Sequence, residues 1–235
     1  MTESEPNRTA SSAGPTLATI MVAILVIQAT GWASGLRGKT LAEAVERGAA
    51  RVEAQSVGEV AEADIRRAID NQRSSLRFWA VLSAVGDFVV EPLAPALRAV
   101  LAASGFAAIA ALSGRPVRYA EAMAEAAAAQ WFWVIGLGVQ VTLMIVMDRT
   151  EVETSLVLWL PPGSYPAVSW IAARQFDLFA LLGWIAVGRS GWRLGLVGPV
   201  TAGGVCLLLW GIEASLRIGM ATLCGAAIRA TLMPR

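Results

Sequence analysis

From Leu76 to Met220 the chain is a succession of apolar runs, each about as long as a bilayer is thick, broken by short hinges rich in Gly, Pro and Arg. A helix crossing lipid needs about 20 predominantly apolar residues, because lipid cannot satisfy backbone N–H and C=O groups and the helix must do so internally. Ala, Leu, Val, Ile and Gly dominate these runs without period-2 alternation, which predicts helices rather than the strands of a membrane barrel. The expected fold is therefore all-α, a polytopic transmembrane helical bundle of about five spans.

An earlier run, Thr16–Ala33, lies between Pro15 and Gly35 and predicts the first span. Its small-x-small triplet Gly31-Trp32-Ala33 also fits a cleaved signal peptide. Glu3 and Glu5 beside Arg8 do not suit the positive n-region that a signal needs, so the run reads as an anchor. Residues 76–114 are too many for one straight span, and Pro92 and Pro95 sit at their middle; one long kinked helix is expected in preference to a tight hairpin. The third span falls within Val117–Met147. The fourth starts near Ser169 and runs through Phe176–Val187, and Leu194–Leu216 makes the fifth. Residues 149–167 read as a hinge with a short interfacial helix stopped by Pro161-Pro162-Gly163.

The polar stretches complete the plan. Residues 1–14 lack apolar periodicity and read as a disordered tail. Residues 36–75 carry seven basic and seven acidic side chains, with Leu41, Val45, Val52, Val60, Ile65 and Ile69 near helical spacing. They predict an extramembrane amphipathic arm, broken near Gly48 or Gly58, with Glu43/Arg47 and Glu62/Arg66 as i,i+4 pairs. The division is thus tail 1–14, transmembrane helix 15–35, arm 36–75, a four-span membrane domain 76–217 and a C-terminal tail 218–235.

Composition agrees and narrows the chemistry. Charged residues are 16% of the chain, against roughly 25% in soluble domains. The absence of histidine excludes His-ligated haem, HExxH metalloproteases and Ser-His-Asp triads. Cys206 and Cys224, on one helix, would lie about 27 Å apart, too far for a disulfide. No metal, cofactor or enzymatic activity is expected. A net charge of +1 argues against a nucleic-acid partner. The nine tryptophans fall mostly near run ends, as interfacial belts would require. Arg115, Arg118, Arg189 and Arg193 in two hinges place the N-terminus in the cytoplasm and the arm outside.

Ala33–Thr40 (ASGLRGKT) matches the permissive P-loop pattern, but it follows a membrane-length run rather than a buried strand, so nucleotide is not expected. Asp87, Glu91 and Arg98, spaced by four and seven, would share one helical stripe within about 40°. Charges at bilayer depth cost at least ~2.5–3.5 kcal/mol each, so the stripe should face a cavity, a partner helix or itself. One reading has the acids titrating or binding a cation in a transport path; the other has Arg98 neutralising an acid near a Pro92 kink. Glu121/Glu125 suit a helix start, where the macrodipole favours acids. Arg174/Asp177 and Glu213/Arg217 read as intrahelical ion pairs, and Gly31/Gly35 and Gly136/Gly138 as points of close helix packing.

Gln175-Phe176-Asp177-Leu178-Phe179, followed by Leu181-Leu182-Gly183-Trp184-Ile185-Ala186-Val187-Gly188, resembles the Yip1 family, whose bacterial members carry an FDxF motif before a Gly-closed apolar run. The turn Leu112-Ser113-Gly114 and the helix start Tyr119-Ala120-Glu121-Ala122-Met123 fall in the same order, so the likeness covers roughly residues 16–216. It implies a five-span integral protein of the bacterial inner membrane. Eukaryotic relatives bind small GTPases through cytosolic regions that this chain lacks. The expected role is a non-enzymatic scaffold or accessory subunit, embedded in the lipid bilayer and assembling with itself or a membrane-protein partner. The alternative is a small transporter or ion-coupled permease using Asp87 and Glu91.

Overall fold

The computed structural model describes residues 13–56, 61–150, 152–160 and 168–232. Most of the expected tail, the Gly58 break and the Pro161-Pro162-Gly163 stop lie outside the described residues. Among those residues the protein is an all-α helical bundle, its one non-helical pairing an isolated bridge between Ser155 and Asp177.

Helix α1 (Ala13–Ala33) ends in a two-residue joint at Gly35, whose φ of +74° suits glycine, and α2 (Leu36–Ser56) starts at once. The P-loop-like residues are this joint and the first turn of α2, so no strand precedes them. Helix α2 continues through Gly48, because that position leaves room for Gln72 on α3 (Glu62–Ser74); a Cβ on Gly48 would stand 1.9 Å from Gln72 Nε2. The two helices form the arm, with Val45, Ala49 and Ile65 buried. The Arg73 guanidinium grips the Glu46 carboxylate across them at 2.9 and 3.0 Å.

Helix α4 (Leu76–Val85), a π-helical turn (Gly86–Val90) and α5 (Glu91–Leu112) follow one another without a gap, so residues 76–112 are one long helix. The π turn is where the sequence requires irregularity. Pro92 and Pro95 have no N–H for the carbonyls of Phe88 and Glu91, and their rings crowd those carbonyls. The turn before them widens, and the Glu91 N–H bonds the Gly86 carbonyl five residues back.

Helices α6 (Tyr119–Ala129) and α7 (Trp131–Met147) make the return, and α8 (Val168–Arg174), α9 (Leu178–Arg193) and α10 (Pro199–Leu232) complete the bundle. The expected fourth span is not a single helix from Ser169. It breaks at residues 175–177, where Asp177 turns extended and its Oδ1 accepts the N–H groups of Phe179 and Ala180 at 2.9 and 3.0 Å, an N-cap for α9. Among the described residues four helices are long and apolar enough to cross a membrane: Ala13–Ala33, Glu62–Leu112, Tyr119–Met147 and Pro199–Thr222. At 16 residues α9 spans only about 24 Å. The last helix runs on through the C-terminal segment to Leu232.

Small residues bring the helices together. Ala99, Ala102, Ala103 and Ala110 of α5 meet Ala122, Ala126 and Ala127 of α6, all buried, around Phe106, Val187 and Leu196. Such contacts let backbones approach closely where lipid provides no hydrophobic drive. Outward, Val22, Leu97, Ile135, Ile185, Leu207 and Leu216 are exposed, an apolar exterior matched to hydrocarbon.

Candidate functional site

The predicted stripe does not hold together as one face. Asp87 lies within the π turn, Gly86–Val90, whose wider winding changes the angular register, so Asp87 points to other neighbours than Arg98 beyond the turn. Asp87 turns toward the α1–α2 joint: its Oδ2 accepts the Trp32 indole N–H at 2.9 Å and stands 3.2 Å from Arg37 Nε. Arg37 also donates from Nη2 to Gln28 Oε1 at 2.8 Å, and Gln28 is buried in α1. Glu91 and Arg98 turn instead toward α10.

Arg98 neutralises neither acid of its own helix. It makes a two-pronged bond to Glu213, Nε to Oε2 at 2.9 Å and Nη2 to Oε1 at 2.6 Å, and its guanidinium lies 4.8 Å from the centroid of the Trp133 ring. This fork geometry suits guanidinium and carboxylate, and the indole face favours the cation further. Arg217 donates to the same Glu213 Oε1 at 2.8 Å, one turn on as the sequence predicts, and reaches Glu91 at 4.0 Å. The acids and arginines thus form two groups, Asp87 with Arg37, and Glu91 and Glu213 with Arg98 and Arg217, each with as many acids as arginines.

A cleft of about 300 Å³ opens beside the π turn, lined by Arg37, Thr40, Ser83, Asp87 and Glu91 among others. Among the described residues no three His, Cys, Asp or Glu side chains come together as metal ligands.

Polar contacts also fasten the arm to the bundle. Lys39 pairs with Asp148 at 3.0 Å, Thr150 donates to Glu43 at 2.6 Å, and the Thr40 hydroxyl donates to the Thr150 carbonyl at 3.0 Å. Glu43 is therefore engaged across helices, while Arg47 Nε donates to the Glu43 backbone carbonyl. Glu62 and Arg66 pair at 2.6 Å as expected. In the arm, the Arg73 hydrogen bond, with the charge of Arg73, holds the Glu46 carboxyl below its ordinary value of 4.5 against the opposing effect of desolvation.

Two further expectations change. Arg174 and Asp177 are not a pair: Arg174 lies 3.6 Å from Glu153 and over the Trp170 ring, while Asp177 caps α9 and accepts the Thr154 hydroxyl. Trp133 and Trp184 are not belt residues but pack edge to face at 5.7 Å within the bundle. Glu121 does sit in the first turn of α6, 3.5 Å from Arg118. The i,i+4 spacing shows Glu213 only as a local partner for Arg217, and its second partner Arg98, like the burial of Gln28 and Gln130, comes from the structure. The residue types are the signal, since an amide or acid inside an apolar run is costly unless it is partnered. Gln130 is fully buried where α6 passes into α7, its Nε2 bonding the Ala126 carbonyl at 3.1 Å.

No family model matches the sequence, and no curated protein and no solved structure matches it either.

Proposed function

We propose that the protein is a non-enzymatic integral membrane scaffold or accessory subunit that assembles with itself or with a membrane-protein partner. The observation that carries this reading is the set of interhelical ion pairs. Asp87, Glu91 and Glu213 each meet an arginine from another helix, contacts that tie those helices to one another. The exposed apolar helix faces are left to lipid and partner.

The setting proposed is the bacterial inner membrane, in line with the Yip1 resemblance around Phe176–Gly188. A cytoplasmic N-terminus is supported by Arg115, Arg118, Arg189 and Arg193 near the bundle end opposite the arm. A small permease is the second reading, favoured by the cleft beside Asp87 and Glu91. Reconstituted liposomes separate the two. The wild-type protein is expected to pass protons and Na⁺ no faster than the Asp87→Asn/Glu91→Gln variant, and to co-purify from mild detergent with a second copy or a membrane-protein partner. Cation flux that the double variant abolishes, with assembly intact, would sink the scaffold reading.

A further inference from the structure

The end of the bundle opposite the arm carries charge that the protein itself does not answer. Arg115 donates to the Gly195 carbonyl at 3.3 Å, which brings the α5–α6 hinge against the α9–α10 hinge. Arg118 flanks Arg115 in the sequence, and Arg193 stands two residues before Gly195. One turn back on α9 is Arg189. All four arginines are exposed. The acids on the first turns of α6 are Glu121, engaged by Arg118 at 3.5 Å, and Glu125, so four positive groups meet two negative ones.

Arg189 and Arg193 have no ion pair or side-chain hydrogen bond among the described residues. They stand four apart on one helix, and like charges at that spacing repel. The last turn of α9 favours Arg193 through the helix dipole, but that effect falls off within one turn and leaves Arg189 unexplained.

The rest of the α9 face indicates what sits beside them. Ile185, Arg189 and Arg193 succeed one another at i,i+4 and Trp192 lies next to Arg193; all are exposed, Ile185 at 65% and Trp192 at 53%. The face passes from aliphatic to aromatic and cationic within two turns, as does a helix leaving hydrocarbon for headgroups. At about 24 Å, α9 is shorter than the roughly 30 Å hydrocarbon core, so headgroups must come inward or side chains must reach outward at its ends. Arginine does the second, with its stem in the hydrocarbon and its guanidinium among phosphates.

We infer that Arg115, Arg118, Arg189 and Arg193 form a binding surface for the phosphate headgroups of anionic phospholipids. The guanidinium forks supply paired donors for phosphate oxygens, and Trp192 and Ile185 lie against the glycerol and acyl region. The inference needs only that the bundle lies in a bilayer, so it survives failure of the scaffold reading.

The full-length protein in mild detergent is titrated with phosphatidylglycerol, with phosphatidylcholine and with inorganic phosphate. Bound lipid is counted by native mass spectrometry and the melting midpoint followed by tryptophan fluorescence. Phosphatidylglycerol should bind with a half-saturating concentration at least tenfold below that of phosphatidylcholine and should raise the midpoint, whereas inorganic phosphate should do neither. Arg189→Gln/Arg193→Gln should remove most of that preference, while Arg149→Gln, a basic residue at the arm end, should keep it. Equal binding of the two lipids, equal stabilisation by free phosphate, or a preference untouched in Arg189→Gln/Arg193→Gln would each overturn the proposal. Should that variant not fold, the wild-type comparison of the two lipids decides it.

Discussion

At the scale of single residues, the Arg98–Glu213 pair is a two-pronged ionic contact inside the apolar bundle. Its guanidinium side chain is 7% exposed and its carboxylate 25%. Removing one partner from such a pair leaves the other charged and poorly solvated, at a cost of about 3–5 kcal/mol, whereas exchanging both for apolar residues is often neutral. Glu213→Gln, which keeps the shape and removes the charge, should therefore destabilise the protein by about 3 kcal/mol, and Arg98→Met/Glu213→Leu should cost less than that single change. Denaturation in mixed micelles followed by tryptophan fluorescence measures both. A single variant no weaker than an exposed Arg77→Gln control would show that the pair contributes nothing to stability. That Arg98 would seek an acid could be read from its place in an apolar run. Which acid could not: on a regular helix Asp87 and Glu91, eleven and seven residues before Arg98, would share its stripe, whereas Asp87, inside the π turn, meets Arg37.

At the scale of elements, glycine and aromatic positions decide how α9 seats. A Cβ on Gly183 would stand 2.2 Å from the Trp133 ring, one on Gly136 would meet Phe179 at 2.7 Å, and one on Gly191 would meet Phe106 at 2.8 Å. The helix is thereby drawn against α7 on one side and α5 on the other. Gly183→Leu should force α9 and α7 apart and destabilise by about 1–3 kcal/mol, the usual cost of overpacking. Trp133→Ala should rescue it in the double variant, although each single change is harmful. Additive losses in thermal denaturation would mean that the two side chains do not share this space. The sequence announces such positions only in part. Gly136 was expected to allow close packing and does, but Gly31 has only ordinary contacts at 3.9 Å and Gly35 serves the α1–α2 turn. A lone glycine in an apolar run says that something approaches; its partner comes from a helix distant in sequence. The break ahead of α9 is hidden for a related reason, because the spacing makes Asp177 a partner for Arg174, and only its extended backbone makes it a cap.

At the scale of the whole molecule, bundle and arm are held by different forces and should respond differently to acid. The bundle rests on alanine packing and on pairs shielded by other helices, whereas the arm rests on a small apolar seam and exposed ionic contacts such as Glu46–Arg73. Glu46 has its carboxyl held below 4.5 in the folded arm. A depressed carboxyl contributes stability that is fully present above the unfolded value and is lost as the pH falls through the folded one. Acidification below about 4.5 should therefore loosen the arm first, and amide exchange in Leu36–Ala50 and Glu62–Ser74 should quicken while the bundle helices keep their protection. Arg73→Gln removes the cause of the shift, so its arm should already exchange faster at neutral pH and show a smaller further change on acidification. Exposed contacts are screened by salt, and the same acceleration should follow from molar salt at neutral pH, again confined to the arm. Simultaneous loss of protection in arm and bundle would mean that Lys39–Asp148 and Arg37–Asp87 couple the two into one cooperative unit, with the arm a permanent part of the membrane domain rather than a separately held segment.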